Sequence, residues 1–211
     1  MAKIQEMRRV KMKKCDFLCN GEIFAQNEKI ILRALSEADK ENYMNLQKSF
    51  SFNDKIYEME DFYNFSWKLA IDSDDLILVI FEKGTNIFIG QIMLKKLEEE
   101  IPEIGIDITE PFRKKGFGYT AISLFTTTLK ERFNLQSFLI RVYNDNAASQ
   151  ALFHKFNVTH IGTEENEYIT AMKALYDACD DVEFASKIAK KIEDTFQESG
   201  DRVIDHFLMH V

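Results

Sequence analysis

The feature that most constrains this chain is a strand-like run that leads through a basic, glycine-containing loop into a long helix-like run. The strand-like run is 103–108, the loop is Arg113-Lys114-Lys115-Gly116-Phe117-Gly118-Tyr119, and the helix-like run is 117–132. Glycine lets the backbone turn sharply and approach a ligand closely. The N–H groups of a helix's first turn have no partner within the helix, and they favour a bound phosphate. This order predicts a pyrophosphate-binding turn, although a glycine at a helix start is also a common turn without a ligand.

Two well-known phosphate loops do not fit this segment. No Gly-Lys-Ser/Thr follows four residues after a glycine, which excludes the P-loop. The dinucleotide pattern requires a third glycine at the position that Ala121 occupies.

The pattern that does fit is [Arg/Gln]-x-x-Gly-x-[Gly/Ala], which Arg113 begins and Gly118 ends. It resembles the acyl-CoA-binding loop of the GNAT N-acetyltransferase superfamily. The family's second motif, Asn-x-x-[Ala/Ser]-x-x-Leu-[Tyr/Phe], fits the segment from Asn146 to Phe153 one strand later. The segment 102–106 also resembles the Glu-Ile-Gly segment of the branch that acetylates ribosomal-protein N-termini (Rim-like). Two motifs in the right order indicate membership far more strongly than either motif alone.

The resemblance implies an α+β, GNAT-type acyl-CoA N-acyltransferase fold: a central mixed, mostly antiparallel sheet flanked by helices. The chain's own patterns agree, since apolar runs of strand length alternate with runs of helical periodicity. The predicted strands are 30–35, 76–82, 87–96, 103–108, 137–143, 158–162 and 202–211. Helices are predicted after a cap at Ser36, and over 54–70, 117–132 and 146–156.

The predicted domains are an N-terminal arm with a β-hairpin, 1–29, and an acetyltransferase domain, 30–211. The hairpin turn is placed at Asn20-Gly21. A helical insertion at about 164–199 precedes the last strand, where the family normally turns directly. It is either a helical hairpin packed on the core or a lid or dimer arm beside the acceptor.

The resemblance implies acetyl-CoA as cosubstrate and assigns residues to it. The backbone of Ile106 and Ile108 would bind the pantetheine arm. The loop residues Arg113, Lys114, Lys115, Gly116, Phe117, Gly118 and Tyr119 would surround the phosphates. Asn146, Ser149 and Phe153 of the second motif would complete the donor site.

Acyl transfer to an amine needs a base for the ammonium and an acid for the leaving thiolate. Glu103 is the predicted base, acting through water; its alternative is a solvated carboxylate at a strand edge. Many family members have tyrosine where this chain has Phe153, which cannot donate a proton, so Tyr143 or water is the predicted acid. This loss keeps open a catalytically weakened acyl-CoA-binding module. A domain that uses the loop for ATP or NAD is a further alternative.

The acceptor is predicted to be a primary amine on a small molecule, a polyamine or a peptide N-terminus. The formal charge is −8, and residues 36–75 carry ten acids against four lysines, together with eight aromatic residues. An acidic, aromatic-lined mouth would attract a cation, although solvated helix faces and a packed core explain the same pattern.

Composition excludes several other classes. The acidity disfavours nucleic-acid binding, and no run approaches the ~18 apolar residues of a membrane span. The four histidines and three cysteines lack metal-ligand spacing, so no metal is expected. Free thiols and the absence of a secretory signal predict a cytoplasmic protein, a monomer or a homodimer.

Overall fold

The computed structural model describes residues 12–17, 21–51, 54–165 and 203–211. Its eight strands form one sheet in the order β1-β2-β3-β4-β5-β6-β8-β7. The strands are β1 (Ile23–Gln26), β2 (Ile30–Ala34), β3 (Leu76–Glu82), β4 (Phe88–Lys95), β5 (Glu103–Ile108), β6 (Ser137–Tyr143), β7 (Val158–Glu165) and β8 (Val203–His210). The α-helices of the described residues are α1 (Lys40–Phe50), α2 (Glu60–Ile71), α3 (Phe117–Phe133) and α4 (Ala147–Phe153). The predicted fold class, α+β with a sheet flanked by helices, is confirmed.

The chain divides into two compact units. The first comprises residues 1–139 together with His210–Val211, and the second comprises Ile140–Met209. In the first unit β1 to β5 form an antiparallel meander, each strand paired with the next. Short loops join β1 to β2, β3 to β4 and β4 to β5, as is usual for antiparallel neighbours, whereas the connection from β2 to β3 contains α1 and α2.

Apolar side chains cover both faces of the sheet in the first unit. On one face, residues of α1 and α2 pack with alternate residues of β3 in a shared core of Leu35, Tyr43, Met44, Trp67, Ala70, Ile77, Val79 and Phe81. The residues that alternate with these, such as Leu32, Leu78 and Ile80, are also fully buried, and α3 contacts β2, β4 and β5. Because side chains alternate between the two faces of the sheet along each strand, one strand contributes apolar residues to two cores.

Two predicted helix boundaries have clear causes. Ser36 precedes α1, and its N–H donates to Asp39 Oδ2 at 2.9 Å, while Arg33 forms a 2.6 Å salt bridge with Asp39. At the far end of α3, Asn134 adopts a left-handed conformation with φ 56°. Asparagine tolerates this conformation and so ends the helix.

The prediction of a single helix over 54–70 is wrong at its start. The structure has a 3-10 helix at Asp54–Glu58, then α2 from Glu60. Met59 between them is extended, with ψ 116°. The apolar spacing typical of a helix continues on both sides of this break. The sequence pattern therefore does not reveal one extended residue.

The predicted N-terminal hairpin, with its turn at Asn20-Gly21, lies partly outside the described residues, because residues 18–20 are not among them. Before that gap, Lys14–Asp16 form a 3-10 turn. The hairpin that the structure shows joins β1 to β2. Its turn is closed by Asn27, whose side-chain oxygen accepts the N–H of Lys29 at 2.8 Å and that of Ile30 at 2.9 Å. An Asx turn at Asn27 therefore connects β1 to β2.

In the second unit β7 and β8 are antiparallel. Glu164 of β7 forms salt bridges with Arg141 and, at 3.2 Å, with His206. Burial raises the pKa of Glu164, but its hydrogen bonds and charge pairing with Arg141 and His206 outweigh burial and lower the pKa overall. Glu164 and Glu165 are thus strand residues, and the remainder of the predicted helical insertion, 166–199, lies outside the described residues.

Candidate functional site

The candidate donor site begins at β5, whose exposure changes along its length. Glu103 and Ile104 are buried, whereas Ile106 and Ile108 are half-buried. The first part of the strand is therefore core, and the part that leads into the glycine loop is accessible.

The approach of β4 to β5 requires glycine at position 90, directly opposite Ile108. A Cβ atom there would overlap the backbone carbonyl oxygen of Asp107 and would lie 3.0 Å from the Cα atom of Ile108. Backbone approaches of this kind explain a glycine within an otherwise apolar strand.

The loop after β5 turns twice before α3 begins. A 3-10 turn at Glu110–Phe112 comes first. Lys114 then adopts a left-handed conformation with φ 58°, and Gly116 does so with φ 86° as the N-cap of α3. A Cβ atom at Gly116 would meet nothing within 4 Å. Gly116 therefore provides the reversal of the chain and leaves open space in front of the helix.

The first turn of α3 has no side-chain cap. Its N–H groups thus lack the hydrogen bond that Ser, Thr or Asp would supply at this position. Lys114 and Lys115 are exposed beside it. Uncapped helix donors, open space and two ammonium groups suit a polyanion, and the loop residues fit the phosphates that acetyl-CoA carries.

Arg113 holds this loop against the end of β5. Its Nε donates to the carbonyl oxygen of Ile108 at 2.8 Å, and its guanidinium lies 5.0 Å from the ring centre of Phe50 at the end of α1. Next to it, the rings of Phe112 and Phe117 lie edge to face with centres 5.4 Å apart. The Nζ atom of Lys115 lies 5.7 Å from the Phe112 ring centre. The loop thus has its own packing, and Tyr119 on the first turn is 44% exposed.

Glu103 differs from the solvated strand-edge carboxylate considered above, because it is only 6% exposed. Its carboxylate forms salt bridges with Lys95 at 3.7 Å and Lys96 at 3.1 Å. Such an arrangement serves either a base or a structural ion pair.

The sequence reasoning missed a polar pair on the same face as Glu103. Gln91 of β4 lies directly opposite Asp107 of β5, and its Nε2 donates to Asp107 Oδ2 at 2.7 Å. Gln91 is only 1% exposed. Its signal was available in the sequence, as one polar residue within the apolar run from Phe88 to Leu94.

The remaining predicted site residues belong to the second unit. Tyr143 ends β6 and is half-buried. The Asn146 side chain caps α4 by accepting the N–H of Ser149 at 3.1 Å, and Phe153 at the end of α4 is 5% exposed. Each residue therefore has a local structural role in addition to the role that the second motif predicts.

The described residues contain neither a metal-binding cluster nor a membrane-spanning helix. Within 12–17, 21–51, 54–165 and 203–211, no three His, Cys, Asp or Glu side chains come together as a metal site. None of the helices in those segments has the length and hydropathy of a membrane span.

Comparison with known proteins supports the same family. One curated relative, an N-acetyltransferase 9-like protein from Caenorhabditis briggsae, is 28% identical over 120 residues, 52% of this chain. The aligned region spans 59% of that relative's length.

Solved structures share the fold at low sequence identity. Spermidine N-acetyltransferase from Vibrio cholerae, in complex with CoA and spermine, has a TM-score of 0.57 and 16% identity, covering 87% of this chain and 97% of its own. RimL, a ribosomal L7/L12 alpha-N-protein acetyltransferase, has a TM-score of 0.55 and 15% identity, covering 88% and 95% respectively. Residues 29–159 match the model of the "Acetyltransferase (GNAT) domain", and the chain therefore belongs to the GNAT family of acetyltransferases.

Proposed function

We propose that this protein transfers the acetyl group of acetyl-CoA to a primary amine, on a small molecule or at a peptide N-terminus. The observation that carries the proposal is the start of α3. It is an uncapped helix N-terminus that follows an accessible strand end and opens with left-handed Gly116 beside exposed lysines. This is a site for a phosphate-bearing ligand on the element that the family uses for CoA.

The donor residues have distinct tasks in this proposal. The first-turn N–H groups of α3, with Lys114 and Lys115, bind the phosphates. The accessible backbone of Ile106 and Ile108 binds the pantetheine arm. Acetyl-CoA supplies the activated thioester. The resemblance adds Asn146, Ser149 and Phe153 to the donor residues.

The proton-handling residues are Glu103 as base and Tyr143 as acid. Only a neutral amine attacks a carbonyl carbon, so an amine that is protonated at neutral pH must first lose a proton. The Glu103 carboxylate would accept it through water. Tyr143 carries the phenol that Phe153 lacks, so it is the proposed source of a proton for the leaving thiolate.

The acceptor is proposed to be cationic. One similar solved protein is in complex with CoA and spermine, and another acts on a ribosomal protein N-terminus by its name. In this chain, the α1 and α2 region contributes acids and aromatic rings. Among them are Tyr43 and Tyr57, which pack in one cluster above the sheet. Aromatic faces and carboxylates both attract ammonium groups.

A catalytically weakened acyl-CoA-binding module is the second candidate. The specific observation is Phe153, a buried residue without a hydroxyl at the position where many family members have tyrosine. This candidate predicts acetyl-CoA binding without appreciable turnover.

The deciding experiment has two steps. Calorimetry with acetyl-CoA, CoA, ATP and NAD tests the ligand, and we expect acetyl-CoA and CoA to bind while the two nucleotides do not. Release of CoA thiol is then followed with a panel of monoamines, polyamines and peptides. Binding with no turnover across the panel would favour the binding module, and binding of ATP or NAD alone would reject the acyl-CoA assignment.

A further inference from the structure

The pair formed by Gln91 and Asp107 includes a hydrogen-bond acceptor that has no donor among the described residues. Gln91 gives its amide N–H to the Asp107 carboxylate, which fixes the amide orientation. Its carbonyl oxygen, Oε1, is buried and accepts no hydrogen bond from the described residues. A buried acceptor left without a donor costs about 1–3 kcal/mol. The pair therefore presents a buried acceptor beside a half-buried carboxylate.

The cations near this face are engaged elsewhere. Arg33 forms its salt bridge with Asp39 at 2.6 Å. Lys95 and Lys96 form theirs with Glu103, four register positions away on the same strand pair. Across the segments that the structure describes, no Lys, Arg or His forms a salt bridge with Asp107. Within those segments, the negative charge of Asp107 is thus not balanced by a salt bridge.

Two tyrosines belong to the core cluster under α1 and α2. Tyr43 of α1 is 8% exposed, and Tyr57 of the neighbouring 3-10 helix packs against the same cluster. Burial raises the pKa of the Tyr43 phenol to about 12, with further contributions from the negative charges of Asp107 and Tyr57. Tyr43 therefore lies within electrostatic range of Asp107, and it stays neutral at physiological pH. A neutral phenol accepts a hydrogen bond from a cation without repelling it.

An ammonium group is the complement of this arrangement. It has three N–H donors and no acceptor, so it satisfies a carboxylate and a lone carbonyl together. An anion would be repelled by Asp107, and an apolar group would leave the buried acceptor without a donor.

We propose that Asp107, oriented by Gln91, binds a second protonated nitrogen of the acceptor, so that the substrate class is amines with at least two cationic centres. The inference rests on the proposed function, since it names the acceptor of that reaction. Such acceptors come from two sources, alkyl polyamines and peptides with a basic side chain. Both present the same alkylammonium group.

The test measures binding to the CoA complex, so it does not depend on turnover. Calorimetry compares 1,6-diaminohexane with 1-aminohexane, and a short peptide that contains lysine with the same peptide that contains norleucine. We expect the dicationic member of at least one pair to bind at least about tenfold more tightly, equivalent to about 1.4 kcal/mol. Preference in the amine pair alone indicates polyamines, and preference in the peptide pair alone indicates basic peptides.

Variants of Asp107 and Gln91 then test whether this pair causes the preference for the dicationic ligand. Asp107→Asn should reduce it to less than about twofold, since it removes the charge and keeps the shape. Gln91→Leu should lower it at least about threefold, because Asp107 loses its orienting hydrogen bond. Glu131→Gln, on exposed α3 surface, removes one negative charge elsewhere and should keep the full preference.

Three results would overturn the proposal. They are equal binding of both members of both pairs by the wild type, a full preference retained by Asp107→Asn, and an equal loss in Glu131→Gln. Affinity for CoA, measured on every variant, confirms that the donor site is folded. If CoA itself does not bind the wild type, the proposed function fails first, which is a different result from a missing cation preference.

Discussion

The Nε atom of Arg113 donates a hydrogen bond of 2.8 Å to the carbonyl oxygen of Ile108, and this bond joins the glycine loop to the end of β5. The family pattern treats this arginine as a ligand-binding residue. The structure shows that its side chain also positions the loop, with the guanidinium over Phe50.

Substitutions at Arg113 distinguish its role in positioning the loop from the role of its positive charge. Arg113→Lys keeps the charge and loses the Nε–H donor, whereas Arg113→Met loses both. If positioning dominates, both variants should weaken acetyl-CoA binding by about 3- to 10-fold, the loss of one hydrogen bond of roughly 0.5–1.5 kcal/mol. Calorimetry measures this. Wild-type affinity in the lysine variant, with a loss in Arg113→Met, would show that the charge matters and the hydrogen bond does not.

Gly118 lies in the first turn of α3 and provides a test of the phosphate site. Gly118→Asp should weaken acetyl-CoA binding at least about tenfold, roughly 1.4 kcal/mol, because its carboxylate repels the phosphates. The same charge favours the helix N-terminus, so the variant should melt no lower than Gly118→Asn, which has the same size and no charge. Calorimetry and thermal melting are measured on both variants. Equal acetyl-CoA affinity for the two would remove α3 from the donor site.

Glu103 has two candidate roles that one variant cannot separate. If it is the base, Glu103→Gln should keep acetyl-CoA affinity and lose ~10²–10⁴-fold in turnover. Lys96→Met is the matched control, since it breaks the 3.1 Å salt bridge and leaves the carboxylate in place. Steady-state rates and melting temperatures are compared. Loss of stability in both variants with turnover preserved would assign Glu103 to structure, and the search for the base would pass to Asp107.

The strands were predictable because their ends carry local signals. Segments 76–82, 103–108 and 137–143 match β3, β5 and β6 at both ends, and turns with charged or polar residues bound them. The break at Met59 was not predictable, because a single extended residue does not alter the apolar period on either side of it.

Only part of the candidate site was predictable, because local sequence patterns do not show contacts between distant residues. The loop around Gly116 is contiguous in sequence and has a pattern of its own. The contact between Gln91 and Asp107 instead depends on the register of β4 on β5, which pairs residues sixteen positions apart. Register is set by the packing of the whole sheet. The pairing of Glu103 with Lys95 also follows from this register, and so it was missed.

Tyr43 makes a prediction about stability at high pH. Burial first, and then the charges of Asp107, Tyr57 and Asp75, raise its pKa from 10.0 to about 12. The folded state therefore holds this proton more tightly than the unfolded state does. Its stabilisation is complete below pH 10 and is lost as the pH rises toward 12.

Tyr43→Phe measures that contribution, because phenylalanine keeps the ring and does not titrate. The wild type should lose about 1.4 kcal/mol of unfolding free energy relative to Tyr43→Phe by pH 11, one pH unit above the ordinary value. Urea unfolding of both proteins at pH 9, 10 and 11 gives the difference. Parallel curves for the two proteins would mean that the Tyr43 phenol titrates alike in the folded and unfolded states.

The last prediction concerns Phe153 and Tyr143, both in the second unit. Phe153 is 5% exposed, so we expect it to pack, with Tyr143 as the source of the proton for the leaving thiolate. Tyr143→Phe should then lower turnover by ~10²-fold or more with acetyl-CoA affinity retained. Phe153→Tyr should change turnover less than about threefold, because proton donation that is already adequate does not limit the rate. Both variants are assayed on one amine, with calorimetry as the control for donor binding. A clear rise in turnover for Phe153→Tyr would show that the missing phenol limits this chain, and it would favour the weakened acyl-CoA-binding module over a fully active enzyme.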